Sequence, residues 1–490
     1  MLMNQKWVLV FSFVFILLAG CAQGAGEDEN EEESNDAETT LTFWNRLPEL
    51  ESHFQSFIEK FEEEHPDIAI NMENLGASGN QQFQTAINND ELPDIFVRAN
   101  VMPVRQLVEQ NQLKNLNEIF TDEIRDNFRD GTWSENFTVL DDDVYQLPLY
   151  SGNSSVMMFY NKDVLDTVGM TEEEVPQTWE EMMKVGKKIN EQSNGSIYGL
   201  TLGAEAGWLS DMFISQMGTS ITPSMHTSID VGKQINYQNG EVDFATDGNI
   251  ETIEFINDLQ DANVLDPQSV ENDEPTALAN FAAGRAAFFF GGNWTGANLV
   301  NEETGAGFEN WGVAPMPTKN GDPYYSDSLT TEGLMVSEYT KHWEEVQTFL
   351  NYFIEHGYTE VVAASGAHET ALATEVSEEE APFEQYNDIT NIMSEHSMQV
   401  PDIYKRNINT SGVIQDYHGS LSYSAGEILR GYLQGEIDDL EAELEEATEE
   451  GKKSFESALN KSDVVDREDF IFDNWVPFEP YTEADYEELE

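Results

Sequence analysis

The sequence predicts an α/β protein with two domains, and three observations lead to this prediction. Strand-like apolar runs alternate with segments in which apolar residues recur at helical spacing. The chain has 490 residues, which is more than a single hydrophobic core usually encloses. Hydrophobic residues make up 39% of the chain, and this is enough to fill two cores.

A short apolar segment precedes Cys21, the only cysteine of the chain. Lys6 followed by the apolar residues 7–18 has the pattern of a secretory signal, and the apolar stretch is too short to span a bilayer. Leu18-Ala19-Gly20-Cys21 resembles the lipobox of bacterial lipoproteins, which implies a signal peptide over residues 1–20 and a lipid anchor on Cys21. The alternative is an ordinary signal peptide that ends near a cysteine by chance.

The segment at 21–40 is predicted to be a disordered acidic tether. After the cysteine it contains eight acidic residues and no aromatic or basic side chain. Such a segment cannot bury enough apolar surface to fold, and its like charges keep it extended. The folded part is therefore expected to begin near Leu41, and no later apolar stretch is long enough for a transmembrane helix.

Acidic residues dominate the charge of the chain. Asp and Glu number 94 against 23 Lys and Arg, and the formal net charge is −71. Nucleic acid is excluded as a general partner because binding it requires basic groups that neutralise phosphates. An acidic surface of this kind suggests exposure to high salt or high pH, since salt screens the repulsion between like charges. Any single pair of carboxylates is weak evidence for catalysis or metal binding in such a chain.

The first predicted domain begins with strands and helices in alternation. Strands are predicted at 41–44, 67–70 and 94–97, and helices at 50–61, around 83–87 and at 103–110. This order predicts a parallel sheet that is covered by helices on both faces.

The second predicted domain contains two continuous apolar runs, at 156–160 and 286–290, which are typical of strands buried on both faces. Helices are predicted at 178–189, where Thr178 and Glu181 form a capping box, at 250–259, and at 277–283, which Gly284 ends. A late acidic helix around 437–444 is predicted to present a solvated outer face.

Five motifs occur in a characteristic order between residues 40 and 365. They are Leu41-Thr-Phe-Trp44, Leu92-Pro-Asp-Ile-Phe96, Phe159-Tyr-Asn-Lys162 with Pro176-Gln-Thr-Trp-Glu-Glu181, Phe281-Ala-Ala-Gly-Arg-Ala-Ala287 with Gly292-Asn-Trp294, and Trp311-Gly-Val-Ala-Pro-Met-Pro317. Taken together, they resemble family 1 extracellular solute-binding proteins, the carbohydrate-binding lipoproteins of ABC importers that are related to maltose-binding protein. From Glu375 onward the resemblance thins.

This resemblance implies a type II periplasmic-binding-protein-like α/β fold, in which two lobes joined by three crossing strands close on a sugar. The crossings are expected at 149–154, 328–336 and near 354–358. The first lobe would consist of residues 40–151 and 330–355, and the second of residues 152–329 and 356–490.

The resemblance also implies a function. The protein is expected to capture a sugar, with an oligosaccharide favoured, and to deliver it to the transmembrane subunits of an ABC permease. It is expected to be a lipid-anchored monomer on the extracellular face of the cell membrane, with no cofactor, no metal and no enzymatic activity.

Several residues are candidates for contact with such a ligand. Sugars offer hydroxyl groups and flat C–H faces, so their sites combine aromatic rings with carboxylate, amide and Arg groups. Candidates that follow predicted strand ends, where ligands of open α/β sheets bind, are Trp44, Asn45, Arg46, Arg98 and Asn100.

Further candidates come from the resemblance. The segment 202–208 matches one that supplies a carboxylate and an aromatic ring, which indicates Glu205 and Trp208, and Trp294 matches the stacking tryptophan of the family. Candidates at or beyond the proposed crossings are Tyr150, Ser151, Glu332 and the more distant Tyr417. For each tryptophan the alternative is a place in the core, as predicted for Trp179 and Trp343.

The main alternative is a surface-anchored enzyme acting on glycosides, with two carboxylates about 5 to 10 Å apart. The sequence contains no GxSxG, P-loop or HExxH motif, and His368-Glu369 lacks the second histidine. The segment 243–248 resembles part of a calcium loop but has Ala245 at a ligand position. A binding protein for another solute and a purely structural lipoprotein are the remaining alternatives.

Overall fold

The computed structural model describes residues 37–75, 79–97, 104–129, 131–205, 207–224, 234–301, 306–327, 332–373 and 381–489. Cys21, Arg98 and Asn100 lie outside these ranges, as do the predicted signal peptide and most of the predicted tether. The described residues form three hydrophobic clusters. The largest, which we call the second core, surrounds the main sheet of the second lobe, and the other two, of which the larger is the first core, pack on the main sheet of the first lobe. The predicted α/β fold in two lobes is therefore confirmed.

The strands are β1 Thr39–Asn45, β2 Ile68–Asn74, β3 Ile95–Val97, β4 Val139–Leu140, β5 Asp143–Val144, β6 Leu147–Pro148, β7 Val156–Asn161, β8 Tyr198–Thr201, β9 Ile235–Asn236, β10 Glu241–Val242, β11 Ala286–Gly292, β12 Trp311–Ala314, β13 Ser326–Asp327, β14 Gly333–Val336 and β15 Ser397–Met398. The predicted strands at 41–44, 67–70, 94–97, 156–160 and 286–290 all correspond to strands in this set.

The α-helices are α1 Glu51–Glu64, α2 Gly79–Asn89, α3 Val104–Glu109, α4 Asp122–Arg125, α5 Lys162–Thr167, α6 Trp179–Gln192, α7 Trp208–Thr219, α8 Asp247–Asp261, α9 Glu274–Ala282, α10 Thr295–Val300, α11 Trp343–Tyr352, α12 Tyr386–His396, α13 Ile403–Arg406, α14 Thr410–His418, α15 Ala425–Leu433, α16 Leu440–Leu459 and α17 Glu483–Glu487. Short 3-10 helices occupy Pro48–Leu50, Glu172–Glu174 and Arg467–Phe470, and a π-helix occupies Phe353–Ala363. Within the described ranges, no helix is both long enough and apolar enough to cross a bilayer.

The first lobe is built around a five-stranded sheet with the order β2-β1-β3-β14-β6. Strand β1 is parallel to β2 and β3, whereas β14 is antiparallel to both β3 and β6. The predicted parallel sheet is thus right for the first three strands and wrong for β14, which enters from a distant part of the chain. Phe43 of β1 packs on Phe54 of α1, with ring centroids 5.1 Å apart.

The second lobe is built around a four-stranded sheet with the order β12-β7-β11-β8. Every residue of β7 and of β11 is buried, as expected for strands with helices on both faces. The predicted capping box of α6 is present. Thr178 Oγ1 accepts a hydrogen bond from the Glu181 amide at 3.2 Å, and the Glu181 carboxylate accepts one from the Thr178 amide at 3.1 Å.

The predicted crossings between the lobes can be compared with the structure only in part, since residues 328–331 of the second crossing lie outside the described ranges. The segment predicted to form the third crossing, near 354–358, is helical, and Tyr358, Val361 and Val362 are buried in the first core. The first lobe therefore extends past residue 355 to about Leu372, and Phe383 already packs against the second core. Farther along, the Ala371 amide donates to the Leu149 carbonyl at 3.0 Å, so residues near 370 run beside the first crossing.

The last part of the chain packs on the second lobe. Helix α16 buries Leu444 and Phe455 in the second core, while its acidic residues form the outer face. The acidic helix predicted around 437–444 is therefore present, but it begins at Leu440, where Asp439 caps it by accepting from the Ala442 amide at 3.1 Å.

Candidate functional site

Four aromatic side chains form a row in space between the two lobes. We call them the aromatic row: Trp208, Trp294, His368 and Tyr150. The ring centroids of Trp208 and Trp294 are 5.9 Å apart, and those of Trp294 and His368 are 6.4 Å apart. His368 stacks on Tyr150 at 3.8 Å with an interplanar angle of 16°. Because the two tryptophans belong to the second lobe and Tyr150 to the first core, the row connects the lobes.

Trp294 follows the end of β11 and is half-buried. Its indole N–H donates to Glu274 Oε1 at 2.7 Å. Trp208 is the first residue of α7 and is 36% exposed, which makes it one of the most exposed large apolar side chains of the described residues. The two rings are thus neighbours, and both keep part of their surface exposed.

Glu49 is the carboxylate at the first-lobe end of the row. It accepts a hydrogen bond from the Tyr150 hydroxyl at 3.3 Å, and its Oε1 lies 3.4 Å from His368 Nε2. Burial alone would raise the pKa of Glu49, but the hydrogen bond and the charge of His368 lower the pKa below its ordinary value. Glu49 is therefore held as a carboxylate facing the cleft.

Glu274 is the matching carboxylate on the second lobe. Burial raises its pKa, the hydrogen bond from Trp294 opposes this rise, and the charge of Glu49 adds to it. Since each carboxylate belongs to a different lobe, charge repulsion acts across the cleft.

Asn293 provides a direct contact between the lobes. Its side-chain Nδ2 donates to the Ala367 carbonyl at 2.8 Å and lies 3.2 Å from His368 Nδ1. The imidazole of His368 thus lies between Asn293 of the second lobe and Glu49 of the first.

A cavity of about 270 Å³ lies beside the row. Pro48 and Glu49 line it from the first lobe, and Glu274, Pro275 and Leu278 line it from the second. Small-molecule sites usually measure roughly 300 to 1,000 Å³, so in this conformation the cavity has room for only part of an oligosaccharide.

The structure gives Ser151 and Tyr150 positions at the joint between the lobes. Ser151 Oγ donates to Glu369 Oε2 at 2.6 Å, and Arg129 pairs with the other carboxylate oxygen at 3.3 Å. Burial, followed by the charges of Glu49 and Glu332, raises the pKa of Tyr150 well above its ordinary value. Glu332 is therefore close to Tyr150 of the aromatic row, while Ser151 holds the two neighbouring chain segments together.

The candidate ligand residues at the strand ends of the first lobe differ in their burial and contacts. Trp44 is half-buried and packs edge-on against Phe83, with ring centroids 5.1 Å apart. Asn45 is 1% exposed, and its amide group bonds to Leu47 and to Asn74. Arg46 follows directly and is half-buried.

Tyr417 and Glu205 are the other two candidates of the second lobe. Tyr417 has no exposed surface and packs against Phe455 of α16, with ring centroids 5.4 Å apart. Glu205 is exposed, and its main chain bonds to Asn272 and to the Arg430 guanidinium. The structure therefore brings together Trp208, Trp294, Tyr150 and Glu332, but not Tyr417.

Glu49, Glu274, Asn293 and His368 were not identified from the sequence as site residues. Only Asn293 lay within a quoted motif, Gly292-Asn-Trp294. The contact between Glu49 and His368 joins residues 319 positions apart, and no local pattern marks it. Within the described ranges, His, Cys, Asp and Glu side chains form no group of three or more that could hold a metal ion.

Two α/β lobes that face each other across a cleft with an aromatic row define the class of two-lobed solute-binding proteins. The chain belongs to the bacterial extracellular solute-binding protein family, whose model matches residues 46–360. It is 23% identical over 221 residues to the maltodextrin-binding protein MdxE of Bacillus subtilis, a match that covers 44% of this chain and 46% of that protein. The chain thus spans about half the length of this relative.

Solved structures share the fold. Maltose-bound MalE3 from T. maritima superimposes with a TM-score of 0.64 at 18% identity, over 86% of this chain and 100% of that one. The GacH receptor of Streptomyces glaucescens, solved unliganded and with acarbose, gives a TM-score of 0.62 at 18% identity, over 86% of this chain and 98% of that one. At this identity the likeness is evidence for the fold.

Proposed function

We propose that this protein captures a sugar, with an oligosaccharide favoured, in the cleft between its lobes and delivers it to the transmembrane subunits of an ABC importer. The aromatic row carries this proposal, because Trp208 and Trp294 offer flat apolar faces at the cleft and Glu49 and Glu274 offer hydrogen-bond acceptors beside them. Flat C–H faces and hydroxyl groups of a sugar require this combination.

The ligand contacts that we propose come from both lobes. On the second lobe they are Trp208 and Trp294. On the first lobe they are Trp44, Arg46, Tyr150 and Glu332, together with Arg98 and Asn100, which follow β3. On the second lobe we also propose Glu205, whose side chain is exposed. The internal hydrogen bonds of Asn45 and Ser151 and the burial of Tyr417 support a structural role for these three residues instead.

The ligands of similar proteins support a carbohydrate ligand. The relative from Bacillus subtilis is named for binding maltodextrin, and the two solved structures contain maltose or acarbose. These ligands are all glucose-like oligosaccharides or their analogues, so maltooligosaccharides are the first ligands to test.

Thermal unfolding of the purified protein against a panel of carbohydrates would test this proposal. A ligand present at 100 times its Kd should add about 2.7 kcal/mol to the free energy of unfolding. The proposal fails if no carbohydrate raises the melting temperature while an oligopeptide or a metal ion does. Release of product from a glycoside during the same measurements would favour the enzyme hypothesis.

We also propose that the protein is a monomer anchored to the extracellular face of the cell membrane through a lipid on Cys21. The lipobox-like sequence Leu18-Ala19-Gly20-Cys21 and the extracellular family to which the chain belongs support this location. A lipid with two acyl chains gives durable attachment, whereas a single chain gives only marginal binding.

A further inference from the structure

We infer that Glu274 is a positioning residue that fixes the ring of Trp294, the proposed sugar platform, in its binding orientation. This inference rests on the proposed function. Its geometric basis is the hydrogen bond of 2.7 Å from the Trp294 indole N–H to Glu274 Oε1. A half-buried tryptophan at the end of a strand has two side-chain torsions that could otherwise turn it out of the cleft.

The main chain of Glu274 is itself held in place. Glu274 is the first residue of α9, and Asp273 caps this helix by accepting from the Thr276 amide at 2.9 Å. A Cβ on Gly203 would approach the Glu274 Cα to 2.7 Å, so the segment that leads to Trp208 lies directly against the start of α9. The acceptor for the indole therefore stands on a rigid element.

The opposite side of the Trp294 side chain is also confined. A Cβ on Gly292 would come within 2.2 Å of the six-membered ring, so the strand end lies against the indole with no room for a side chain. The ring of Trp208 closes a third side at 5.9 Å. The hydrogen bond to Glu274 completes this confinement, because it is the only contact of the set that selects one orientation of the N–H edge.

Such confinement affects affinity directly. A tryptophan ring that already has its bound orientation loses less conformational entropy when the ligand binds. The smaller entropy loss makes binding tighter. Glu274 is thus expected to act on the ligand through Trp294 rather than by touching the sugar.

Two variants of Glu274, each placed in the wild-type and the Trp294→Phe background, test the inference. Glu274→Gln keeps an oxygen acceptor, whereas Glu274→Ala removes it. Phenylalanine keeps an aromatic face but has no N–H, so in that background Glu274 has no indole to orient. Melting temperatures of all the variants would show whether each one folds.

The first readout needs no ligand. In the ¹H–¹⁵N spectrum of the free protein, the indole signal that disappears in Trp294→Phe identifies Trp294. This signal should shift in Glu274→Ala and stay near its wild-type position in Glu274→Gln. It should also move with pH in the wild type, as the Glu274 carboxyl titrates, and this movement should be lost in Glu274→Gln. An indole signal that is the same in wild type and Glu274→Ala overturns the inference.

The second readout is affinity for maltotriose by titration calorimetry. Glu274→Ala should weaken binding about tenfold in the wild-type background, and Glu274→Gln less than about threefold. In the Trp294→Phe background, Glu274→Ala should change affinity by less than about twofold. An equal loss in both backgrounds would mean that Glu274 contacts the sugar itself, and this overturns the inference.

The two readouts separate this inference from the proposed function. If no carbohydrate binds the wild type, the proposed function fails, while the indole signal still decides whether Glu274 orients Trp294. If maltotriose binds and the indole signal is the same in wild type and Glu274→Ala, the proposed function stands and the positioning role is wrong.

Discussion

At the residue scale, the two cleft tryptophans differ from Trp179 by what their rings touch. Trp179 is 9% exposed, stacks on Phe255 at 4.7 Å and donates its indole N–H to the Pro317 carbonyl. Its predicted packing role is confirmed. Trp294 instead bonds to a carboxylate and neighbours a second, exposed tryptophan. A ring with an open face beside acceptors is available to a ligand, whereas a ring stacked inside a core is not.

The replacement Trp294→Ala should therefore lower sugar affinity at least about tenfold with little change in fold. The reason is the loss of an apolar stacking face, since aromatic contacts add about 0.5 to 1.5 kcal/mol beyond the area they bury. Titration calorimetry with the carbohydrate identified by the panel would measure the affinity, and circular dichroism the fold. Trp343→Ala is the matched control, because Trp343 lies at the start of α11 with its indole bonded to Glu118 and should leave affinity unchanged. Equal losses in both variants would contradict the role of Trp294.

The two cleft carboxylates should respond to pH in opposite directions. The folded-state pKa of Glu49 is lowered from 4.5, so its stabilising contribution is present above that value and is lost as the pH falls through the folded-state pKa. The folded-state pKa of Glu274 is raised from 4.5, so the folded protein loses stability as the pH rises above 4.5, and this loss is complete above the folded-state pKa.

Accordingly, Glu49→Gln should lower the melting temperature at pH 7, and Glu274→Gln should raise it. Both differences from wild type should shrink on acidification to about pH 4, where an unperturbed Glu is largely protonated. Comparing each variant with wild type at the same pH cancels the titration of the other carboxylates. Shifts of the same sign at pH 7 would show that the environments of the two groups are misassigned.

The sequence revealed the site at this scale only where a side chain belongs to a local motif. Trp294 stands in Gly292-Asn-Trp294 and Trp208 in a segment similar to that of the family, so both were predicted and lie in the row. Glu49 and His368 meet only after folding, and a chain with 94 acidic residues gives no means of selecting one of them beforehand. Tyr417 was chosen as a distant aromatic residue, yet Phe455 of the last long helix covers it.

At the element scale, glycine at the end of β11 determines how closely the strand approaches Trp294. Gly292→Ala would place a Cβ within 2.2 Å of the indole ring, so the ring or the strand must move. We expect a loss of stability of about 1 to 3 kcal/mol, as is usual for an overpacked site, together with weaker sugar binding. Chemical denaturation and titration calorimetry would measure the two effects.

Gly412→Ala provides the control for this prediction. Gly412 lies within α14, and a Cβ there would meet no atom within 4 Å. Alanine is favoured over glycine in helix interiors by up to about 1 kcal/mol, so this variant should be neutral or more stable and should bind sugar normally. If Gly292→Ala behaves in the same way, the close approach of the strand end does not position the Trp294 ring.

Elements were predictable where the pattern of apolar residues was unambiguous. The continuous apolar runs of β7 and β11 predicted strands buried on both faces, and both are wholly buried. The third crossing was expected near 354–358 from the family resemblance, but this segment continues α11 without a break as a π-helix. Two-residue strands such as β4 are too short to show an apolar pattern in the sequence. The antiparallel pairing of β14 with β3 could not be predicted from local patterns because it joins distant parts of the chain.

At the scale of the whole molecule, the first prediction concerns attachment to the membrane. Cys21→Ser should leave the fold unchanged, because Cys21 precedes the described α/β cores, whose packing involves no cysteine side chain. The variant should be released into the medium or remain as an uncleaved precursor, because serine cannot form the thioether to the lipid. Fractionation of expressing cells with immunoblotting would distinguish these forms from the anchored protein. A variant that is processed and retained in the membrane like the wild type would rule out the lipid anchor.

The last prediction concerns closure of the lobes. A ligand favours the closed form only by binding it more tightly than the open form, so it must contact both lobes at once. We propose that Trp208 and Trp294 supply the contacts on the second lobe and that Arg46, after β1, supplies one on the first. Small-angle scattering should show wild-type protein becoming more compact with saturating sugar, whereas Arg46→Ala should bind on the second lobe and compact less.

Arg105→Ala is the matched control for this experiment, since it removes a positive charge from the same lobe at α3, where Arg105 pairs with Glu109 on the surface at 2.8 Å. It should compact as the wild type does. Equal compaction of the Arg46 and Arg105 variants would remove Arg46 from the closing contacts. No change in the wild type, at a sugar concentration that calorimetry shows to be saturating, would mean that binding is complete on one lobe, and the protein would then have no closed form to present to a permease.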